Sequence, residues 1–142
     1  MSFFETKYED HLYVIFRIGI GLLFFMYGVQ KLFGLWEMPG GAASFGTLIW
    51  YAGAGEFLIG LSLITGVLTR LASSFGVIEM LVAYYLGHVA MKGWNPAINQ
   101  GAPALLFMLA FLVTLAYGAR KASLEQTVFR REFFWILFFY FI

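Results

Sequence analysis

The stretch HLYVIFRIGIGLLFFMYGVQKLFG, residues 11–34, decides the fold of this chain. Apart from His11, its ionisable side chains are Arg17 and Lys31, and nearly everything else in it is aliphatic, aromatic or glycine. A helix that crosses a membrane needs roughly 20 consecutive, mostly apolar residues. The stretch meets that requirement, so we predict that it forms the first transmembrane helix.

Three further stretches have the same character. They are TLIWYAGAGEFLIGLSLITGVLT (47–69), LASSFGVIEMLVAYYLGHVAM (71–91) and GAPALLFMLAFLVTLAYGA (101–119). The whole chain of 142 residues is 61% hydrophobic and 12% charged, whereas a soluble domain is about a quarter charged. We therefore predict an all-α fold, a four-helix transmembrane bundle embedded in the lipid bilayer.

The connections between the predicted spans are short. Residues 35–46 contain a Pro-Gly-Gly turn signal, residues 92–100 contain Asn95-Pro96, and only a few residues around Thr69 separate the second span from the third. Short links make neighbours in sequence antiparallel neighbours in space. We therefore expect residues 1–126 to form one domain.

The basic residues near the ends of the spans predict the orientation in the membrane. Cytoplasmic flanks carry an excess of Lys and Arg. Lys31 and Lys92 fall on one side, and the side of the N-terminus holds six basic residues: Lys7, Arg70, Arg120, Lys121, Arg130 and Arg131. We therefore expect a multi-pass protein of the plasma membrane with both termini cytoplasmic.

Residues 124–142 form an unusual C-terminal segment. Ser123 and Gln126 fit a capping box, which predicts that a helix starts near Leu124. The segment ends in FFWILFFYFI, residues 133–142, which is too short to span a bilayer. We expect an interfacial aromatic helix, and the alternative is a helix that packs against a partner subunit.

Arg17, Glu56, Glu79 and His88 are ionisable residues inside the predicted spans. An ionisable group at the centre of a bilayer costs about 2.5–3.5 kcal/mol on insertion scales. Such groups must be paired, hydrated or used in function. The spacing of polar and small residues in the first two spans puts them on faces that should look into the bundle.

We predict that two of these residues form a structural ion pair. At about 1.5 Å of rise per residue, Arg17 lies roughly 9 Å inside the first span and Glu79 roughly 12 Å inside the third, counted from the same membrane face. Their charges are opposite, and Arg70 lies at the edge of the same layer. A buried pair of this kind can fix the register of the helices.

A second group of polar residues is predicted near the opposite face. We expect Lys31, Glu56 and His88 to cluster there, with Tyr84 one turn before His88. We assign His88 and Glu56 as the catalytic pair, since histidine exchanges protons near neutral pH. The predicted substrate-binding residues are Lys31, Tyr84, Trp94 and Asn99. Glu79 and His88 are nine residues apart, about half a turn out of phase in a straight helix, so we expect two separate layers.

Several kinds of chemistry are excluded by the sequence. The chain has no cysteine, which excludes thiol–disulfide exchange by this chain and cysteine-ligated zinc or iron–sulfur clusters. No His-Glu-x-x-His, phosphate-loop or Gly-x-Ser-x-Gly motif occurs. His11 and His88 are expected at opposite faces, which argues against a bis-histidine haem. We therefore predict no metal site and no intrinsic cofactor, and the net charge of +1 gives no reason to expect nucleic-acid binding.

Taken together, these elements resemble the DoxX family of small four-helix membrane proteins. The resemblance lies in the order and spacing of five stretches: RIGIGLLFFMYGVQKLFG (17–34), GEFLIGLSLITGVLTRLAS (55–73), EMLVAYYLGH (79–88), NQGAPALL (99–106) and YGARKASLEQ (117–126). It implies that six residues occupy recurrent polar positions of the family: Arg17, Lys31, Glu56, Arg70, His88 and Asn99.

The resemblance also implies a range of functions. The family takes its name from a thiosulfate:quinone oxidoreductase, and other members are linked to membrane-associated redox complexes. We therefore expect a redox-associated subunit that contacts quinone or a small acid at a polar site in the outer leaflet. The alternatives are a non-enzymatic accessory or assembly subunit of a larger membrane complex and a transporter of protons or small solutes. The expected partners are a larger membrane redox complex or further copies of this chain.

Overall fold

The computed structural model describes residues 8–121 and 123–129. These residues form helices and connecting turns, with no strand among them. The elements in chain order are α1 (Glu9–Phe33), α2 (Leu48–Thr65), α3 (Thr69–Tyr84), a π-helical turn (Tyr85–Val89), α4 (Ala90–Lys92), α5 (Pro96–Asn99), α6 (Ala102–Tyr117) and α7 (Leu124–Phe129). The π turn joins α3 to α4 without a break, so the three form one long helix over Thr69–Lys92.

The helical membrane fold predicted from the sequence is confirmed. Among the described residues, three helices are long and apolar enough to cross a membrane, namely Glu9–Phe33, Leu48–Thr65 and Thr69–Lys92. The fourth predicted span is the apolar helix α6, which has only 16 residues. At about 1.5 Å per residue it is roughly 24 Å long, shorter than a typical hydrocarbon core of about 30 Å. It ends at Gly118, whose φ of 70° is a conformation that favours glycine.

Helices α1 and α2 pack with their backbones in close contact, because each presents two glycines seven residues apart to the other. A Cβ on Gly28 would lie 2.4 Å from the backbone nitrogen of Phe57, and a Cβ on Gly60 would lie 2.5 Å from that of Phe25. Gly21 and Gly53 make similar approaches. Small residues at helix interfaces give this kind of packing in membranes, where burial of apolar surface adds little.

Helices α3 and α6 form the second closely packed pair. The Phe111 ring lies against Gly76, where a Cβ would be 2.7 Å from the ring. The buried hydroxyls of Ser73 and Thr114 hydrogen bond across this interface at 2.7 Å. Phe24 of α1 meets Phe111 edge-on, with ring centroids 4.7 Å apart, and so joins the two helix pairs through an aromatic core.

One end of the bundle, which we call the arginine end, is built around the C-terminus of α6. The last carbonyls of a helix have no partner within it. Arg70 Nη1 donates to the carbonyls of Leu115 and Ala116, at 2.7 and 3.0 Å. Just beyond the helix, Tyr13 donates to the Gly118 carbonyl and Arg17 to the Ala119 carbonyl. Cations are also stabilised by the negative end of a helix dipole.

The start of α7 closes the same end of the bundle. Its first residue is Leu124, as the capping-box pattern predicts. The Ser123 hydroxyl donates to the Gly66 carbonyl at 2.7 Å, and the buried Glu125 carboxylate accepts from the Leu68 backbone N–H at 3.0 Å. The segment after α6 is therefore attached to the turn between α2 and α3. The predicted aromatic helix over residues 133–142 lies outside the described residues.

Candidate functional site

A cavity of about 730 Å³ lies between α2 and α3. Its walls come from residues 48–59 of α2 and 75–88 of α3 and the π turn, and Lys31 of α1 closes one side. Most of the lining is apolar, and several wall residues, among them Leu58, Phe75 and Ile78, are more than half exposed. These residues belong to helices that are apolar enough to cross a membrane, and the cavity opens on the outer surface of the helix bundle.

Lys31 and Glu56 form an ion pair beside this cavity. Lys31 comes from the last turn of α1, and Glu56 comes from the middle of α2. The two helices approach closely through glycines at this level, which brings the charges together. Glu56 is 4% exposed, and its second oxygen, Oε2, is buried without a hydrogen-bond partner among the described residues.

Glu79 lines the cavity close to this ion pair. Its carboxyl group packs against Gly55, where a Cβ would lie 2.8 Å from Glu79 Oε2. Glu56 and Lys31 are the charged groups that interact with it electrostatically. Oε1 of Glu79 is buried and has no hydrogen-bond partner in the part of the chain that is described. Two carboxyl groups therefore share one ammonium group, and each keeps an unpartnered oxygen.

The predicted Arg17–Glu79 ion pair does not form. Arg17 Nη1 lies 3.0 Å from the position of a Cβ on Gly66, just past the end of α2. Glu79 lies at Gly55, which is eleven residues or about 16 Å away along α2. The prediction is wrong because it measured depth from the start of α1. The first two turns of α1 extend beyond α2, so Arg17 reaches only the edge of the bundle, where Arg70 also binds α6.

The π turn brings His88 to the same cavity as Glu79, which corrects the predicted separation into two layers. The backbone N–H of Ala90 bonds to the Tyr85 carbonyl, five residues earlier. A π turn holds more residues than an α turn, so it reduces the half-turn offset expected for a straight helix. Both Glu79 and His88 consequently line the cavity.

His88 is held by residues 93–101, which connect α4 to α6, contain the short helix α5 and are called the loop below. Its Nδ1 lies 2.9 Å from the backbone oxygen of Asn99. The Asn99 side chain is buried and bonds within the loop, donating to the Gly93 carbonyl and accepting from the Gly101 N–H, both at 2.7 Å. Asn99 therefore positions His88 through its backbone, and its amide group is engaged elsewhere.

Tyr84 and Trp94 are placed differently from the substrate-binding role predicted for them. Neither residue lines the cavity. The Tyr84 hydroxyl donates to the Trp94 backbone carbonyl, and Tyr84 is buried with its ring 6.4 Å from that of His88. The Trp94 side chain is 72% exposed and packs beside Tyr85. The two residues hold the loop next to His88.

Sequence reasoning missed two features of the site. Glu79 belongs to the cavity and not to the arginine end, and Gly55 provides the space for its carboxyl group. The Gly-Ala-Gly run immediately before Glu56 is a signal of close packing that points to this position. Among residues 8–121 and 123–129, no three His, Cys, Asp or Glu side chains are grouped so that they could hold a metal ion.

The fold and this cavity define a small helical integral membrane protein with a cavity that opens on the surface of the helix bundle and is lined in part by polar side chains. The family model described as DoxX matches residues 12–89, which include both carboxylates of the site, Lys31 and His88. The chain belongs to the DoxX family.

The chain is also similar to an uncharacterized protein of Haemophilus influenzae. The two are 33% identical over 129 residues, which cover 88% of this chain and 96% of that protein. The similarity therefore extends beyond the family match, through the loop that holds His88 and through α6. No solved structure matches the chain.

Proposed function

We propose that this protein is a redox-associated membrane subunit that binds a quinone-type molecule in the cavity between α2 and α3. The observation that carries the proposal is the combination of lipid-facing apolar walls with a polar end formed by Lys31, Glu79 and His88. Quinones have a long apolar tail and a small polar ring, so they need both kinds of surface in one site.

The size and position of the cavity support this proposal. Its volume of about 730 Å³ is within the range of about 300–1,000 Å³ typical of small-molecule sites. A tail can leave between Leu58 of α2 and Phe75 or Ile78 of α3, directly into the hydrocarbon. A ligand could therefore enter from the membrane without crossing water.

The polar groups suit proton exchange with a quinone ring. Interconversion of a quinone and its hydroquinone moves two electrons and two protons. His88 and Glu79 lie on the cavity wall and are suited to exchange the protons, because imidazole and carboxyl groups serve as general acids and bases. Glu56 and Lys31 relay protons from the side of α1. The electrons pass to or from a separate electron-transfer protein, so the chain acts within a larger redox assembly.

The orientation in the membrane is part of the proposal. Arg70, Arg120 and Lys121 belong to the arginine end, and cytoplasmic ends of membrane helices are rich in Lys and Arg. The arginine end then faces the cytoplasm in the plasma membrane, with both termini on that side. The cavity opens in the outer half of the bilayer.

Photolabelling with an azido-quinone, in nanodiscs of defined lipid, tests the proposal. We expect saturable labelling of residues 48–59 and 75–88, competed by unlabelled quinone. Glu79→Gln and His88→Ala each remove a polar group from the cavity wall. Labelling should fall at least about tenfold in each variant, which corresponds to a loss of about 1.4 kcal/mol in binding free energy. Gly19→Ala is the matched control, because a Cβ on Gly19 meets nothing within 4 Å. Equal labelling of all four proteins would overturn the proposal.

A non-enzymatic assembly subunit is the second candidate function. It is favoured by the many polar side chains whose contacts hold the backbone, such as those of Arg70, Tyr84 and Asn99. This function requires stable co-purification with a larger complex and no specific labelling of the cavity. Recovery of a uniform, isolated oligomer that labels saturably would exclude it.

A further inference from the structure

We infer that the cavity between α2 and α3 selects ligands whose head group donates hydrogen bonds, so that it binds the hydroquinone in preference to the quinone. The inference rests on the proposed function and adds to it the redox form that is recognised. It follows from the donors and acceptors that His88, Glu79 and Lys31 present to the cavity.

The hydrogen bond to Asn99 fixes the tautomer of His88. A backbone carbonyl oxygen can only accept a hydrogen bond. Nδ1 of His88, 2.9 Å from that oxygen, must therefore carry the hydrogen. In the neutral ring the other nitrogen, Nε2, then holds a lone pair and accepts. His88 consequently presents an acceptor to a ligand and has no second N–H to offer.

Hydrogen bonds within the loop hold the Asn99 carbonyl in place. The Asn99 side chain is 2% exposed and spans the loop, with bonds to Gly93 and Gly101 at 2.7 Å each. Tyr84 holds the neighbouring part of the loop through the Trp94 carbonyl. Since α3 and the loop are joined at these points, the Asn99 oxygen stays in place and keeps the proton of His88 on Nδ1.

The other polar groups of the lining either favour a donor in the ligand or favour neither redox form. When ionised, Glu79 offers only acceptors, and its Oε1 has no partner among the described residues. The ammonium group of Lys31 has three N–H groups and is paired with Glu56, and its remaining N–H groups can donate to the oxygen atoms of either redox form. Tyr51 can donate or accept. The cavity therefore offers acceptors that a ligand donor satisfies, while its own donors serve the quinone and the hydroquinone alike.

A quinone and its hydroquinone differ in what they need from such a site. The two carbonyl oxygens of the quinone only accept, whereas the two hydroxyl groups of the hydroquinone donate. The hydroquinone can donate to His88 Nε2 and to Glu79, but the quinone would leave these acceptors unsatisfied. A buried polar group without a hydrogen-bond partner is unfavourable, so the quinone should bind more weakly. The difference should appear in binding alone, without electron transfer.

The test compares three ligands with the same decyl tail, measured anaerobically by titration calorimetry on the full chain in nanodiscs and in mildly alkaline buffer. They are a benzohydroquinone, the matching benzoquinone and the dimethyl ether of the hydroquinone. We expect the hydroquinone to bind at least about tenfold more tightly than the other two. The ether keeps the ring and tail, loses both donors and adds two methyl groups, and the quinone controls for that added volume because it lacks the donors without being larger.

His88→Ala and Asn99→Ala extend the test within the protein. His88→Ala should reduce the preference for the hydroquinone over the ether. Asn99→Ala should reduce it as well, because the loop no longer fixes the carbonyl. A ¹⁵N spectrum of histidine-labelled protein reports the tautomer independently of any ligand, and we expect the hydrogen on Nδ1 of His88.

The possible outcomes separate the inference from the proposed function. Quinone binding that equals or exceeds hydroquinone binding would overturn the inference and leave the proposed function standing. A spectrum with the hydrogen on Nε2 would do the same. Failure of both redox forms to bind would overturn the two together.

Discussion

The two ends of this bundle bury polar side chains in different ways. At the arginine end, Arg17 and Arg70 donate to backbone carbonyls at and just beyond the C-terminus of α6. At the opposite, carboxylate end, formed by Lys31, Glu56, Glu79 and His88, two buried carboxyl oxygens have no partner among the described residues. At the arginine end, Thr69 Oγ1 and Arg17 Nε make no hydrogen bond among the described residues, but the Arg17 guanidinium group is held through Nη1 by the Ala119 carbonyl.

The comparison distinguishes polar groups that are buried to stabilise the fold from polar groups that are buried at a candidate functional site. A buried polar group is stabilising once it is hydrogen bonded, and an unsatisfied one costs about 1–3 kcal/mol. The arginine end uses its charges to complete the hydrogen bonding of a helix end. The carboxylate end keeps oxygens open on or beside a cavity wall, which costs stability and provides contacts for a ligand or a proton.

The largest expected effect is at the arginine end. Arg17→Ala removes a fully buried guanidinium group and its bond to the Ala119 carbonyl. We expect a loss of about 3 kcal/mol, since the substitution leaves both a cavity and an unsatisfied carbonyl. Reversible unfolding in mixed micelles measures it. Arg120→Ala, at a partly exposed side chain, is the control, and an equal loss in both variants would contradict the structural role of Arg17.

The next effect concerns the contact between α1 and α2 that brings Lys31 to Glu56. Gly28→Ala would place a methyl group 2.4 Å from the Phe57 backbone, so the helices must separate. We expect a loss of about 2 kcal/mol from this overpacking, together with weaker ligand binding. Gly19→Ala adds the same methyl group on the same helix into open space and should match the wild type in both unfolding and binding.

A double-mutant cycle on Lys31 and Glu56 measures how strongly these two residues of the carboxylate end stabilise each other. Lys31→Met and Glu56→Gln should each destabilise the protein by about 1–2 kcal/mol, because each leaves a charge without its partner. The double variant should recover part of that loss, since the pair is removed as a whole, although Glu79 loses the ammonium group that it shared. Unfolding measurements on the four proteins give the coupling energy. Strict additivity would show that the ion pair contributes nothing specific.

The smallest effect on stability is expected at Gly55. Gly55→Ala would place a methyl group 2.8 Å from Glu79 Oε2, the mobile end of a side chain. The carboxyl group can move aside, so we expect a stability change below about 1 kcal/mol but a several-fold change in ligand affinity. Gly87→Ala adds a methyl group to the same cavity where nothing lies within 4 Å. A larger change in affinity for Gly87→Ala would contradict the position of Glu79.

The helices and the packing face of α1 could be predicted from the sequence because they depend on local patterns. Long apolar stretches predicted the spans, and the spacing of Arg17, Gly21, Phe24 and Gly28 predicted the face that is buried. The length of α6 was harder to predict, because apolar residues continue to Ala119 while Gly118 ends the helix.

The candidate site could be predicted only in part. Lys31 and Glu56 were expected at one level, and the structure brings them together. The surroundings of Glu79, which are Lys31, Glu56 and Gly55, could not be predicted by counting residues from helix ends, because the helices start at different depths in the bundle. The link between His88 and the Asn99 backbone depends on a loop conformation, which side-chain identities do not reveal.

The π turn corresponds to one additional codon in the segment that encodes the helix carrying His88. Such a turn is equivalent to one residue inserted into an ordinary α-helix. Deletion of Gly87 would restore α-helical winding and place His88 eight residues after Glu79, at nearly the angle that the π turn gives it. The nine residues present, wound as a straight α-helix, would instead turn His88 about half a turn away from Glu79. The position of His88 therefore depends on the match between the number of codons in this segment and the winding of the helix.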